Sequence, residues 1–348
     1  MTASPLPPFA DGPDAKVFRF RYGGAARPLH AYLLERYAHG RPEAWRESFY
    51  PERVRLDGQA VDAATVVTPG AEIAYLHLRA DEPPTPQPPP LYEDDWLLAI
   101  EKAPDAPVSP GGVFYFGALA VCTREVFGNP ELTPLHRLDL ETSGPLLLAK
   151  RRADVATFHA LFREQTLHKR YLALVHGALG ADLREVRGFI VPDETSPIET
   201  LLRLSDTPPS DTQGGKGSRR LMPPEPSHTL LGERHTHDTP HGPLTEVALE
   251  PVTGKTNQLR VHMAHLGHPI VGDKKYYPDP VVFLDWYAHR DYARLADRLL
   301  LPRQALHCAA LRFTHPFTGA EVCIAARPGQ WAERLAHDNT PLVEPVLG

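Results

Sequence analysis

The sequence carries one carboxylate whose surroundings suit chemistry. Asp139 lies in the string PLHRLDLETSGPLLLAK, residues 134–150, where a polar turn opens directly into an apolar run. A carboxylate at the edge of a core can be both desolvated and oriented, as a nucleophile or a general base requires. An ordinary capping aspartate in a loop is the competing interpretation, because turns of this composition are common. This string alone therefore does not establish a catalytic role.

A cation and an aromatic residue with similar potential occur further along the chain. In the string TGKTNQLRVH, residues 253–262, Arg260 projects from the flank of a predicted helix, where it could pair with a carboxylate or a phosphate. In the string HKRYLALVHG, residues 168–177, Tyr171 lies near the start of a predicted strand beside two basic residues. That arrangement suits stacking of a base while cations bind its phosphate. An exposed salt-bridging arginine and an ordinary strand tyrosine are the competing interpretations.

The elements that must position these side chains predict an α+β fold. Apolar runs indicate strands over residues 96–100, 146–149 and 171–175. Helical spacing indicates a helix capped by Asp154 and another over residues 258–266. Because strands and helices mix without a regular alternating repeat, α+β is favoured over a doubly wound α/β fold.

The N-terminal region indicates a separate small module. A helix over residues 29–37 is ended by Gly40, a strand over residues 54–56 enters an Asp-Gly turn, and a second strand covers residues 73–77. Six prolines follow in residues 81–90, and because proline lacks a backbone N–H they prevent the hydrogen bonds of a helix or a sheet. This composition favours an extended spacer, which is the clearest domain boundary in the sequence.

The whole chain divides accordingly. The stretch 205–243 is dense in Pro, Gly, Ser, Thr and His without periodicity, which predicts a mobile insertion. Its histidines are interpreted as solvated, because no cysteine or carboxylate completes a metal-ligand set. The predicted segments are a disordered tail (1–15), a small domain (16–80), a proline-rich linker (81–91), a larger domain (92–330) that contains the insertion, and a C-terminal tail (331–348).

Composition excludes some classes of protein and locates the basic stretches. No apolar run is long enough to cross a bilayer, and the N-terminus lacks the pattern of a signal peptide. Three widely spaced cysteines suit buried thiols in a reducing compartment, so we expect a cytoplasmic protein. The net charge of −6 argues against a polyanionic partner, but residues 134–177 and 252–278 each carry a net +3. The local field decides whether nucleic acid can bind.

Together, and in this order, the strings resemble the RluA-type RNA pseudouridine synthases. The active-site signature of that family is matched by His136-Arg137-Leu138-Asp139 followed by Thr142-Ser143-Gly144. Further matching segments are Lys169-Arg170-Tyr171 with Gly177, Thr253-Gly254 through Arg260-Val261-His262, Gly267-His268-Pro269-Ile270 through Gly272-Asp273, and Leu306-His307 through Pro316-Phe317-Thr318-Gly319. The similarity covers most of residues 92–325. Two departures are Pro145, where the family usually has Leu, and Asn257, where it usually has His.

The resemblance implies a fold, an activity and a set of site residues. The fold would be a pseudouridine-synthase-like α+β domain with a mixed, mainly antiparallel sheet, preceded over residues 16–80 by a divergent alpha-L-like RNA-binding domain. Asp139 would be the essential catalytic carboxylate, Tyr171 would adjoin the uracil, and Arg260 would pair with Asp139 and keep it ionised. Substrate contacts would come from His136, Arg137, Thr142, Ser143, Lys150, Lys169, Arg170 and Leu259.

The expected reaction is isomerisation of uridine in structured ribosomal or transfer RNA, without cofactor or metal, by a monomer. Two other functions stay open. One is a catalytically inactive RNA-binding protein that retains the fold, and the other is a hydrolase or lyase acting on free nucleosides. The basic stretches weigh against the nucleoside enzyme, and the matching Asp139, Tyr171 and Arg260 weigh against the inactive protein.

Overall fold

The computed structural model describes residues 9–36, 50–62, 64–84, 87–111, 114–208 and 226–327. The chain groups into two compact units. We call them the first unit, Met1–Gln87 with Ala106–Pro130, and the second unit, Pro88–Asp105 with Glu131–Gly348. None of the helices in the described ranges is long and apolar enough to cross a membrane.

The first unit contains a four-stranded antiparallel sheet of order β1-β6-β3-β4, and β2 pairs separately with β5. Its elements are β1 (Ala15–Arg21), β2 (Arg27–Pro28), α1 (Leu29–Arg36), α2 (Tyr50–Arg53), β3 (Val54–Leu56), β4 (Gln59–Ala60), β5 (Val66–Val67), β6 (Glu72–Leu78) and α3 (Leu119–Val126). Leu29 and Leu33 of α1 are fully buried in one core with Val54 and Ile73. The predicted N-terminal helix and both strands are confirmed, although the expected stop at Gly40 lies outside the described residues.

Residues 106–130 group with the first unit, whereas we predicted one continuous domain over residues 92–330. The Glu82 carboxylate shows why, because it accepts hydrogen bonds of 2.7 to 2.8 Å from the backbone N–H groups of Tyr115, Phe116 and Gly117. A bond between stretches so distant in sequence leaves no periodic pattern, so the sequence did not reveal it.

The second unit is built on two antiparallel sheets, of order β7-β8-β10-β9 and β13-β12-β14-β15-β11-β16-β17. Its elements are β7 (Pro90–Glu93), β8 (Leu97–Lys102), β9 (Thr133–Pro134), β10 (Gly144–Ala149), α4 (Val155–Arg163), β11 (His168–His176), β12 (Glu185–Pro192), β13 (Leu202–Ser205), β14 (Pro226–Thr239), β15 (Gly242–Pro251), α5 (Gln258–His265), α6 (Pro280–His289), α7 (Ala296–Leu299), β16 (Leu306–Thr314) and β17 (Glu321–Ala325). The predicted α+β fold with mainly antiparallel sheets is confirmed.

Pro145 lies in β10, an inner strand of its sheet, and is tolerated there because the neighbouring strand β9 is only two residues long. It pairs with Glu101 of β8, while β9 contacts β10 only at Leu148 and Ala149. Pro145 therefore lies beyond the β9 pairing, where the lack of an N–H donor leaves no β9 acceptor without a partner.

Two local predictions are corrected. The mobile insertion expected over residues 205–243 is instead strand from Pro226 onward, because β14 pairs with β12 and β15; residues 209–225 lie outside the described part. The outer half of β14 is largely exposed, so its polar residues show no alternation. Asp154 precedes α4 but does not cap it, since its carboxylate accepts a hydrogen bond of 2.7 Å from Nε of Arg151.

Candidate active site

The turn that carries Asp139, residues 139–144, is fixed against strand β16. The N–H of Thr142 donates to the carbonyl of Asp139 at 3.1 Å, and the N–H of Cys308 donates to the carbonyl of Ser143 at 2.8 Å. Gly144 has a φ of +122°, and a Cβ there would collide with the carbonyl of Cys308. Only glycine allows this close approach of turn and strand.

Lys102, the last residue of β8, holds the same turn from inside the unit. Its Nζ donates to the carbonyls of Leu140 and Thr142, both at 2.8 Å, and the side chain is fully buried. Burial lowers the pKa of Lys102 to about 7. Lys102 was not predicted as a site residue, because a lysine that ends an apolar strand is usually at the surface.

The hydroxyls of Thr142 and Ser143, for which substrate contacts were predicted, form hydrogen bonds within the protein. Gln304 Nε2 donates to Thr142 Oγ1 at 2.6 Å, and Ser143 Oγ lies 2.9 Å from His307 Nδ1. Since His307 Nε2 is bonded to the carbonyl of Ala326 at 3.2 Å, it carries the ring proton and Ser143 donates to Nδ1. Both hydroxyls therefore secure the turn.

Arg260 of α5 reaches the Asp139 turn across 121 positions of sequence. Its Nη1 donates to Asp139 Oδ2 at 2.9 Å, so the expected ion pair is present. The Asp139 side chain is 35% exposed and the Arg260 side chain only 13%. The carboxylate is thus open to a ligand while its cation is largely enclosed.

Asp273 binds the other edge of the same guanidinium. Nε and Nη2 of Arg260 donate to its two oxygens at 2.6 and 2.9 Å, and the backbone N–H groups of Lys275 and Tyr276 donate to Oδ1. Burial alone would raise the pKa of Asp273, but the charge of Arg260 outweighs it and lowers that pKa. Asp273 lies in a segment that matches the family, but no role was predicted for it from the sequence.

Asn257, which stands where the family usually has His, connects Arg260 to Tyr276. Its amide accepts a hydrogen bond from Arg260 Nη1 at 3.3 Å and donates one to the Tyr276 hydroxyl at 3.1 Å. Its φ of +56° lies in the left-handed region, which asparagine tolerates well. The Tyr276 ring lies 5.0 Å from the guanidinium carbon of Arg260, and burial raises the pKa of Tyr276 to about 12.

Tyr171 lies on β11 opposite Cys308, the residue of β16 that also contacts the Asp139 turn. Burial raises the pKa of Tyr171 well above its usual value, and Cys308 and the charge of Asp139 raise it further. The phenol is therefore neutral and within electrostatic reach of Asp139. Asp139, Tyr171 and Arg260 thus come from three segments that meet in one place.

His136 is neutral at physiological pH and supports β10. The backbone N–H of Leu147 donates to His136 Nε2 at 3.1 Å, so that nitrogen is unprotonated. Burial, and then the charge of Lys169, lower the pKa of His136 to about 4. We conclude that His136 positions the strand that follows the Asp139 turn and bears no charge toward a substrate.

The predicted substrate-binding cations differ in availability. Lys150 donates to Glu93 at 2.7 Å, and Arg170 donates to Glu233 at 2.7 Å. Over the described ranges of the chain, by contrast, the side chains of Lys169 and Arg137 have no hydrogen bond or ion pair. This leaves two of the four cations without a carboxylate to displace.

Lys169 lies close to the Thr253–Thr256 loop. A Cβ at Gly254 would be 3.5 Å from its Nζ, and burial lowers the pKa of Lys169. Leu259, for which a substrate contact was also predicted, is 6% exposed and packs in the core of the second unit.

The arrangement offers an accessible carboxylate paired with a guanidinium, beside a neutral phenol. Residues 97–265 match the family model of RNA pseudouridylate synthases. The chain is 32% identical over 236 residues to ribosomal large subunit pseudouridine synthase C of Pasteurella multocida, a match that covers 68% of this chain and 63% of that protein. It is 31% identical over 279 residues to the protein of the same name from Yersinia pestis, covering 79% and 77%.

The fold is also similar to a solved structure, human RNA Pseudouridylate Synthase Domain Containing 1. The TM-score is 0.50 and the identity 26%, over 70% of this chain and 86% of that one. The chain spans less than two thirds of the length of the Pasteurella relative, at 63%.

Proposed function

The chain belongs to the RNA pseudouridine synthase family, and on that premise we propose that it isomerises uridine to pseudouridine in structured RNA. The observation that carries the proposal is the Asp139–Arg260 ion pair, in which an accessible carboxylate is held by a largely enclosed guanidinium. In the reaction the bond from ribose to uracil N1 breaks and a bond from ribose to ring carbon forms. The carbon gives up its proton and N1 gains one, so the step needs no redox cofactor or group donor.

We assign roles to three residues. Asp139 is the essential carboxylate, and Arg260 orients it next to the substrate through their ion pair. Tyr171 adjoins the uracil with its neutral ring, which suits stacking. The target nucleotide must leave its stack to reach such a site, at a cost of a few kcal/mol.

Phosphate contacts offset that cost, and we assign them first to Lys169 and Arg137. Both lack a hydrogen-bond or ion-pair partner among the described residues, so binding a phosphate breaks no existing bond. Lys150 and Arg170 would first have to leave Glu93 and Glu233. We therefore expect these two cations to contribute less to RNA affinity.

Large-subunit ribosomal RNA is the substrate to test first, because the Pasteurella and Yersinia relatives bear the name ribosomal large subunit pseudouridine synthase C. Transfer RNA is the second. Deletion of the gene, followed by site-resolved mapping of pseudouridine in total RNA, should show missing sites in one of these classes. Restoration by the wild-type gene, and not by the Asp139→Asn variant, would assign those sites to this protein.

The in vitro test compares wild type with Asp139→Asn on the mapped RNA. We expect the variant to fold and to lose at least ~10³-fold in rate, since an amide cannot replace the carboxylate. Pseudouridine formation by the variant at the wild-type rate would refute the role of Asp139. RNA binding without turnover by wild type would instead indicate an inactive RNA-binding protein, and equal efficiency on uridine monophosphate would indicate a nucleoside enzyme.

We further propose that the first unit binds RNA and that the protein acts as a cytoplasmic monomer. The cytoplasmic location rests on three free cysteines, two of them buried. Light scattering of the purified chain tests the monomer, and cell fractionation tests the location. RNA affinity after charge reversal of exposed basic residues in the first unit tests its binding role.

A further inference from the structure

Arg260 is shared unequally between two carboxylates. Asp273 takes the edge formed by Nε and Nη2, the fork that pairs most strongly with a carboxylate, at 2.6 and 2.9 Å. Asp139 receives only Nη1, through one hydrogen bond of 2.9 Å. Asp273 therefore orients the guanidinium, whereas Asp139 contacts it through one hydrogen bond without fixing its orientation.

Asp273 is itself fixed by backbone. Its side chain is fully buried, and Oδ1 accepts N–H groups from Lys275 and Tyr276 at 3.0 and 3.1 Å. The preceding Gly272 has a φ of +77°, and a Cβ there would collide with the carbonyl of Arg303. The position of the Asp273 carboxylate thus follows from the fold and not from its contact with Arg260.

We propose that Asp273 is a positioning residue that acts through Arg260, in an inference that rests on the proposed function. By occupying the Nε–Nη2 edge it leaves Asp139, within the described part of the chain, a single hydrogen bond and a second oxygen that can contact the substrate. It also keeps the enclosed guanidinium paired while Asp139 engages the RNA, when an unpaired buried cation would be costly. Without Asp273, the Nε–Nη2 edge of Arg260 is expected to rotate toward Asp139 and to donate hydrogen bonds to both of its carboxylate oxygens.

The variant Asp273→Asn isolates this role. An asparagine oxygen at the Oδ1 position retains the bonds to Lys275, Tyr276 and Arg260 Nη2, whereas its NH₂ group opposes the N–H of Arg260 Nε. We expect kcat to fall about 100-fold while KM for the RNA stays within about threefold, because the variant loses the charged hydrogen bond by which Asp273 orients Arg260 and loses no contact with the RNA. The matched control is Asp154→Asn, which removes a buried carboxylate bonded to Arg151 and should leave kcat unchanged.

A double-mutant cycle separates positioning from a purely structural role. If Asp273 acts only through Arg260, the Arg260→Gln, Asp273→Asn double variant has the same kcat as Arg260→Gln alone. Losses that multiply would overturn the inference, as would a crystal structure of Asp273→Asn in which Arg260 still gives only Nη1 to Asp139. Asp273→Ser, which keeps a hydroxyl acceptor for the backbone N–H groups, serves the same cycle if the asparagine variant does not fold.

The two proposals fail in different ways. Absence of pseudouridine formation by wild type on every RNA tested would remove the proposed function. Active wild type together with fully active Asp273→Asn would remove only the positioning role.

Discussion

A histidine in α5 makes stability depend on pH in a way that one substitution can isolate. His262 is fully buried, and its two ring nitrogens lie 2.8 Å from Ser227 Oγ and 2.9 Å from Thr229 Oγ1. Burial, and then the charges of His265 and His228, lower its pKa from 6.5 to about 4. The folded protein therefore keeps His262 neutral at a pH where the unfolded chain protonates it.

The sign and size of the effect follow from linkage. Between pH 6.5 and 4 the unfolded chain binds more protons at this position, so the contribution of His262 to stability is complete above pH 6.5 and is lost as the pH falls. The loss amounts to about 2 kcal/mol at pH 5 and about 3 kcal/mol at pH 4. His136, whose pKa burial also lowers to about 4, adds a similar loss to that of the whole protein.

The assay is urea unfolding of wild type and His262→Gln from pH 7.5 to 5. Glutamine keeps a donor and an acceptor for Ser227 and Thr229 but does not titrate, and His136 is present in both proteins, so its term cancels. We expect the difference in unfolding free energy to shrink by about 2 kcal/mol toward pH 5. His159→Gln, at an exposed position of α4, should follow wild type. Parallel curves for wild type and His262→Gln would show that protonation of His262 does not contribute to the pH dependence of stability.

Two further predictions concern the Asp139 turn and the RNA contact. Gly144→Ala should lower the unfolding free energy by more than 2 kcal/mol and abolish activity. Gly319→Ala, at φ +71° with open space around it, should lower the unfolding free energy by about 1 kcal/mol. Equal losses of unfolding free energy for the two variants in urea would contradict the close contact with Cys308. Lys169→Met should reduce the slope of log affinity for RNA against log salt by about 1, whereas Arg170→Met should change it little because Arg170 is paired with Glu233. Identical slopes for the two variants in filter binding would argue against a phosphate contact at Lys169.

Local periodicity in the sequence predicted most of the elements that carry the site. The apolar run from Tyr171 to Val175 and the helical spacing of Leu259 and Met263 arise from physics within a few residues, and they correspond to β11 and α5. The outer half of β14 escaped prediction because it is exposed on both faces, so hydrophobicity does not alternate along it.

The long-range hydrogen bonds that hold the backbone in place were not predictable from local periodicity. Lys102 bonds carbonyls about forty positions away, and Glu82 bonds N–H groups more than thirty positions away. Such hydrogen bonds depend on which backbone segments the fold brings together. No spacing rule within a single sequence records that, and the hydrogen bonds by which Thr142 and Ser143 support the turn were likewise not predicted.

The two halves of the Asp139–Arg260 pair are anchored independently, and this bears on how the site can work. Asp139 is placed by a turn that Lys102 and Gly144 hold, whereas Arg260 is placed by Asp273. An ion pair whose members depended on each other for position would lose its geometry when one of them engaged a substrate. Here either member can change partner while the other keeps its place, because the supports of each are backbone groups or buried charges outside the pair. The same independence means that removing Asp139 should leave Arg260 in position, bonded to Asp273, whereas removing Asp273 should displace it.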